Sequence, residues 1–293
     1  MNREINYNIA KEYESIHAFF TEHHYPRGLV AALKRNPLVI LNDAPAMAYY
    51  PLHIGDVLRI ILPPEAVYSS EQILPTEVPL DIRYEDEDLL VINKPAGMSI
   101  HPSLHHYEDS LANAVAGYYQ KQGTSIVFRC VNRLDKNTTG LTIIAKNQLA
   151  SAVLNTAAKN RQIHRTYLAI VEGSLQGSGI IDAPIGRVDD SVILRQVDYD
   201  NGQSAITHYK ALKESNGYTL VECHLETGRT HQIRIHMKHI GHPLPGDYLY
   251  HPVFDAINRQ PLHSYSLTFE HPITGVPMEF TCPMPKDMEE MLS

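Results

Sequence analysis

After Asp88 the chain repeats one pattern: short runs of apolar and β-branched residues, set apart by polar, glycine-bearing stretches. Nothing else in the sequence restricts the fold as much. The runs cover 89–93, 127–132, 141–145, 166–172, 206–213 and 218–225, all of strand length. Only two intervening stretches have helical spacing. In 148–159, Ala150, Val153, Leu154, Ala157 and Ala158 fall at i, i+3 and i+4 behind Asn147 as an N-cap. In 230–240, Thr230 is the expected cap and Gly241 the stop; Ile233, Met237 and Ile240 form an apolar stripe, while His231, Arg234 and Lys238 share another face. Strands in excess of helices, without β-α-β alternation, predict an α+β fold with a mixed, mostly antiparallel central sheet flanked by helices and loops.

The first seventy residues read differently. Helical spacing in 16–24 and 27–34 is broken at Tyr25-Pro26, a strand follows at 38–41, and the turn Gly55-Asp56 feeds another at 57–62. Pro63-Pro64 and the acidic, proline-containing stretch 71–88 then mark a junction. The expected organisation is a small N-terminal α/β domain over 1–70, a linker over 71–80 and a larger domain over 81–293; a chain of 293 residues is long enough for two cores. The longest apolar runs, 38–41 and 141–145, are far shorter than the roughly 18 residues of a membrane-spanning helix. The N-terminus carries no basic patch followed by an apolar stretch, so a cytoplasmic location is expected. Cys130, Cys223 and Cys282 form no CxxC pair and are expected to be buried or inert thiols.

Charge is segregated. The chain carries a formal −8, yet 129–171 holds seven basic residues against the single acid Asp135, whereas 71–90 holds seven acids against Arg83 alone. Such asymmetry suits a protein that takes an anionic ligand on one face. Two stretches could supply its chemistry. In Asn132-Arg-Leu-Asp-Lys-Asn-Thr-Thr-Gly-Leu141, Asp135 is one carboxylate among cations in a polar loop: its neighbours favour the ionised form needed for a nucleophile or base, and a turn carboxylate capping its own loop is the plain alternative. In Thr227-Gly-Arg-Thr-His-Gln-Ile-Arg-Ile-His236, guanidinium, imidazole and amide groups open a helix, as for phosphate or carboxylate binding, or else form an ordinary solvated basic face. Tyr167 alternates with Arg165 along one strand, and a core tyrosine is its default reading.

Other chemistries lack their signals. There is no P-loop, GxGxxG or GxSxG. Spacings of five, three and three keep His231, His236, His239 and His242 from placing three rings on one helical face, and no HExxH accompanies them, so no metal is expected.

Four blocks, taken in order, resemble the RluA-type family of RNA pseudouridine synthases over roughly residues 80–285. They are Val91-Ile-Asn-Lys-Pro-Ala-Gly-Met-Ser-Ile-His-Pro102, then 132–146, then Arg165-Thr-Tyr-Leu-Ala-Ile-Val-Glu-Gly173, and finally 227–236 with Gly241-His-Pro-Leu-Pro-Gly-Asp247. The resemblance implies a cofactor-free isomerase that breaks the C1′–N1 bond of a uridine and rejoins the uracil through C5. It implies Asp135 as the essential aspartate, Tyr167 against the target base, Arg234 paired with Asp135, and Arg133 filling the gap left by the flipped nucleotide. Thr138, Thr139, Gly140, Arg165, Arg229, His231 and Gln232 are implied as substrate-binding residues. The implied partner is structured RNA, 23S rRNA first and tRNA second, met by a monomer; a scaffold that binds RNA without turnover is the competing reading. Asn132 stands where the family has His. Residues 15–64 resemble a diverged S4-type RNA-binding domain, with Pro26-Arg27 and Asn42-Asp43 replacing its usual Ser-Arg and Asn-Gly.

Overall fold

The computed structural model describes residues 3–64, 73–103, 107–189 and 191–293, so the expected domain boundary near residue 70 lies outside the described residues. The N-terminal part contains β1 (Glu4–Asn8), α1 (Ile16–Glu22), α2 (Arg27–Arg35), β2 (Val39–Leu41), β3 (Ala44–Pro45) and β4 (Val57–Ile61). Its antiparallel sheet runs β1-β4-β2-β3. The remainder contains β5 (Asp81–Glu85), β6 (Leu89–Lys94), α3 (Leu111–Lys121), β7 (Thr139–Ala145), α4 (Gln148–Lys159), β8 (His164–Glu172), β9 (Ser178–Asp182), β10 (Ile185–Arg187), β11 (Arg195–Val197), β12 (Ile206–Ser215), β13 (Tyr218–Leu225), α5 (Gln232–His239), β14 (Leu262–Glu270), β15 (Pro277–Thr281) and α6 (Lys286–Met291).

The α+β expectation holds. Nine strands form one sheet, ordered β5-β6-β7-β14-β8-β13-β12-β9 with β15 on β14, and β10–β11 is a separate hairpin. Every pairing in the large sheet is antiparallel except β7 with β14. Both faces are covered, and the period of two along β6 shows how. Leu90 and Ile92 pack with Leu111, Ala112 and Val115 of α3 and Ile233 and Met237 of α5; Leu89 and Val91 pack with Ala150 and Leu154 of α4 on the other side. Asn147 caps α4 as its sequence predicts, its Oδ1 accepting from the Ala150 amide at 2.8 Å.

Two expectations change. Residues 127–132 do not form a strand and leave only an isolated bridge, Cys130 to Ile144. β14 pairs with β7 only at Thr139 and Gly140, and the edge it leaves free is taken partly by the Asn132 side chain, which donates to the Leu141 carbonyl and accepts from the Ile143 amide. The second helix starts at Gln232, not Thr230, with His231 in the cap position and no side-chain cap bond. Residues 73–80 carry no regular element, yet they lie against α3. Thr76 N–H donates to Asn113 O, Asn113 Nδ2 donates to Leu74 O, and a Cβ on Gly117 would sit 2.2 Å from Thr76 O.

The N-terminal part packs on the rest. Leu149 and Val153 of α4, together with Ile273, join its core of Ile16, Phe19, Phe20, Leu29 and Leu58. Arg3 adds a two-pronged bond to Asp88, at 3.0 and 2.7 Å.

Candidate active site

The loop bearing Asp135 is held from behind by buried cations. Lys94, fully buried at the end of β6, donates to the carbonyls of Pro95, Met98 and Lys136 at 2.8, 2.8 and 3.0 Å. Burial pulls its pKa down to about 7, against the opposing pull of the Asp135 charge, and the three carbonyls compensate the desolvated ammonium. Arg259 Nη1 donates to Asn137 O at 3.2 Å, while its other nitrogens grip Asp287 of α6. From the front, Thr138 N–H closes the turn on Asp135 O. The backbone therefore cannot drift, and the Asp135 side chain emerges a quarter exposed.

Arg234 meets it from α5. Its Nη1 donates to Asp135 Oδ2 at 2.9 Å, while Nε and Nη2 form a fork on Asp247 at 2.7 Å each. Arg234 and Asp247 are each 1% exposed. Burial works against the guanidinium charge, but the bonds to Asp247 and the charge of Asp135 outweigh it and raise its pKa, so it stays cationic at any working pH. Arg234 is thus buried, because two carboxylates neutralise it, while Lys238 on the same face of α5 stays exposed.

Beside Asp135 lies a cavity of about 250 Å³. Asp135 is its only carboxylate; Arg133, Arg165 and Arg229 supply cations, and Tyr167, Leu225, Ile233 and Leu262 supply apolar wall. Tyr167 is 5% exposed, so it is a core tyrosine and a cavity wall at once, and burial raises its pKa. Oγ1 of Thr138 and Nε of Arg165 are buried without a hydrogen-bond partner, a condition that costs about 1–3 kcal/mol per group unless a ligand relieves it. Arg133 is exposed at the rim, and Arg229 Nε is tied to Ser204 O.

Not every expected binding residue faces this space. Thr139 and Gly140 do not line the cavity: they join β7 to β14, Thr139 Oγ1 bonding His263 Nδ1 at 2.8 Å. Gly140 has φ of 105°, and a Cβ there would meet Ser264 O at 2.3 Å. Gln232 lines the cavity but spends its amide on the Ile206, Thr207, Thr227 and Arg229 groups that shape the turn. The basic segment 129–171 is also not one exposed face, because Lys146 pairs with Glu85 and Arg161 with Glu226. Three residues had no role assigned from the sequence: Lys94 and Asp247, which stand in the quoted blocks, and Tyr250. Their partners lie elsewhere in the chain, and the one available signal was Gly246-Asp247 in a turn just after a basic helix.

The histidines do not converge. His236 bonds Thr207 and Ala183, His239 bonds Tyr199, and His242 bonds Glu172 O. Among the described residues, one other group, Asp86, Asp88 and His271, brings ligand atoms within 4.8 Å. Arg3, Asn147, Tyr84 and two backbone amides already occupy its carboxylates. Burial pushes Cys130 up to about 11 and Cys223 to about 12, so both thiols stay protonated.

The site is one carboxylate held by a buried arginine beside a cationic, partly aromatic cavity, and comparison with known proteins gives its family. Residues 88–239 match the RNA pseudouridylate synthase family. The chain belongs to that family. As a pseudouridine synthase it is an isomerase. It is 44% identical over 253 residues to YjbO of Bacillus subtilis, named as an uncharacterized RNA pseudouridine synthase, covering 86% of this chain and 88% of that one. It is 35% identical over 271 residues to the ribosomal large subunit pseudouridine synthase D of Xylella fastidiosa, covering 87% and 80%. Among solved structures, the human RNA pseudouridylate synthase domain containing 1 overlays with a TM-score of 0.62 at 25% identity, covering 73% of this synthase and 88% of that chain.

Proposed function

We propose that the chain isomerises one or a few uridines of large-subunit ribosomal RNA, with Asp135 as the essential residue. The observation that carries this reading is a single carboxylate held by Arg234 beside a cavity otherwise lined by cations and apolar groups. A volume of about 250 Å³ suits a single base and not a base pair within a helix, so the target nucleotide must leave its stack, at a cost of a few kcal/mol. Arg133, exposed at the rim, would fill the vacated stack. Tyr167 would pack on the base, with Thr138 and Arg165 lining the cavity beside it. Ribosomal RNA is favoured because several relatives carry the name ribosomal large subunit pseudouridine synthase D. The N-terminal four-stranded part, proposed as S4-like, would then position the synthase on its RNA.

The test is pseudouridine mapping of ribosomal and transfer RNA in cells carrying the gene, a deletion, and the deletion complemented with Asp135→Asn. Loss of a 23S rRNA site in the deletion, restored by the wild type and not by Asp135→Asn, is expected. A site lost from tRNA instead would move the substrate, and full rescue by Asp135→Asn would remove Asp135 from its role.

A further inference from the structure

Arg234 accounts for only one oxygen of Asp135. The other, Oδ1, faces Nε2 of His231 at 3.9 Å. That ring is held by a specific arrangement. His231 has φ 58° and ψ 21°, in the left-handed region, which is uncommon for a non-glycine residue though less so for histidine than for most. Such a conformation persists only where surrounding contacts impose it. Here the contact is Tyr250, whose phenol lies 2.8 Å from His231 Nδ1, the rings meeting edge to face at 5.6 Å. The phenol oxygen already accepts the Arg195 amide at 3.1 Å, which leaves its own hydrogen for Nδ1. When the phenol donates, Nδ1 is the acceptor and the ring proton sits on Nε2, towards Asp135. Tyr250 is itself fixed by Asp247, whose Oδ1 accepts from the amides of Leu249 and Tyr250 at the turn.

We propose that His231, locked in its Nε2–H tautomer by Tyr250, is a positioning residue that donates to the Asp135 oxygen left free by Arg234. This deepens the function proposed above and rests on it. The 3.9 Å gap closes when a uridine fills the adjacent cavity, as catalytic hydrogen bonds commonly tighten in the complex, or a single water bridges it. With both carboxylate oxygens engaged, Asp135 keeps one orientation towards the base, and the donor adds no second formal charge to a site that already holds Arg234. The groups facing the ring are Asp135 from its loop, Arg195 from β11, Arg234 from α5, and Asp247 and Tyr250 from the turn after α5. Burial, the largest influence, lowers the His231 pKa, which keeps the ring neutral at pH 7. Protonation would remove the acceptor that Tyr250 needs.

Two measurements test this. Nitrogen-15 NMR of histidine-labelled wild-type protein, without RNA, reads the tautomer directly: the expected spectrum has His231 neutral with the proton on Nε2, and a proton on Nδ1 overturns the proposal. Steady-state kinetics of Tyr250→Phe should then show kcat lower by about tenfold, the worth of roughly one hydrogen bond, at nearly unchanged KM. Its acidic limb should move to higher pH, because the donor that favours neutral Nδ1 is gone. A purely structural tyrosine would leave the pH profile where it is, and an unchanged kcat removes the positioning role. Should Tyr250→Phe not fold, His231→Asn, which tolerates the left-handed backbone, should show the same loss of kcat without the acidic limb. Wild-type protein that forms no pseudouridine on any RNA overturns the function, and the positioning role with it. Active wild-type protein with an indifferent Tyr250→Phe overturns the positioning role alone.

Discussion

Asp247 shows how little a residue's type reveals of its task. In sequence it is an acid in a Gly-Asp turn; in the fold it is 1% exposed, holds Arg234 by two bonds and caps the turn that carries Tyr250. Removing one partner of a buried ion pair typically costs about 3–5 kcal/mol, and Arg234 would then lean wholly on Asp135. Asp247→Ala should therefore lose about 3 kcal/mol of stability by denaturant unfolding, and at least about a hundredfold in kcat/KM if that loss reaches the transition state. Wild-type stability in that variant would mean that the fork contributes nothing. The histidines give a pH dependence. Burial is the largest cause lowering the pKa values of His231, His236 and His263, so below the unfolded value of about 6.5 the unfolded chain takes up protons first. Stability contributed by their neutral forms is complete above about pH 6.5 and is lost as the pH falls through the window beneath it. The melting temperature should be lower at about pH 5.5 than at about pH 7.5, and equal values would contradict the buried, neutral assignment.

At the scale of elements, periodicity located what was amphipathic and missed what was not. α4 appears at Gln148–Lys159, where its spacing put it, because Ala150 and Leu154 face the sheet, Leu149 and Val153 the N-terminal core, and Asn155 and Lys159 solvent. α3 is buried at seven of its eleven positions, and Gly117 interrupts it, so it shows no stripe. β14 hides His263 and Ser264 in the sheet interior, where the polar letters of Leu-His-Ser-Tyr-Ser conceal a central strand. That strand makes the parallel contact with β7 at which Gly140 is obligatory. Gly140→Ala should fold poorly and cost about 3 kcal/mol or more, combining the positive φ of Gly140 with a clash against Ser264 backbone. Soluble, fully active Gly140→Ala protein would contradict the close approach.

For the molecule as a whole, the N-terminal core extends onto α4 and Ile273 of the larger part. Leu149, 1% exposed on α4, packs among the N-terminal residues, so the parts should unfold together. Leu149→Ala should cost about 2–4 kcal/mol and split one thermal transition into two; a single transition of unchanged midpoint would show that the contact is idle. The sequence alone determined the fold class, the strand-rich order after Asp88, the capped helix α4 and the motifs bearing Asp135, Tyr167 and Arg234, because periodicity, caps and motif spacing are local. Only the tertiary structure decided that Arg234 reaches across 99 positions to Asp135 while Asp247 holds its other side, that Lys94 and Arg259 brace the loop from behind, and that Tyr250 orients His231. The physical reason is that a buried charge takes whichever partner the fold brings within hydrogen-bond reach, and sequence separation does not enter that energy.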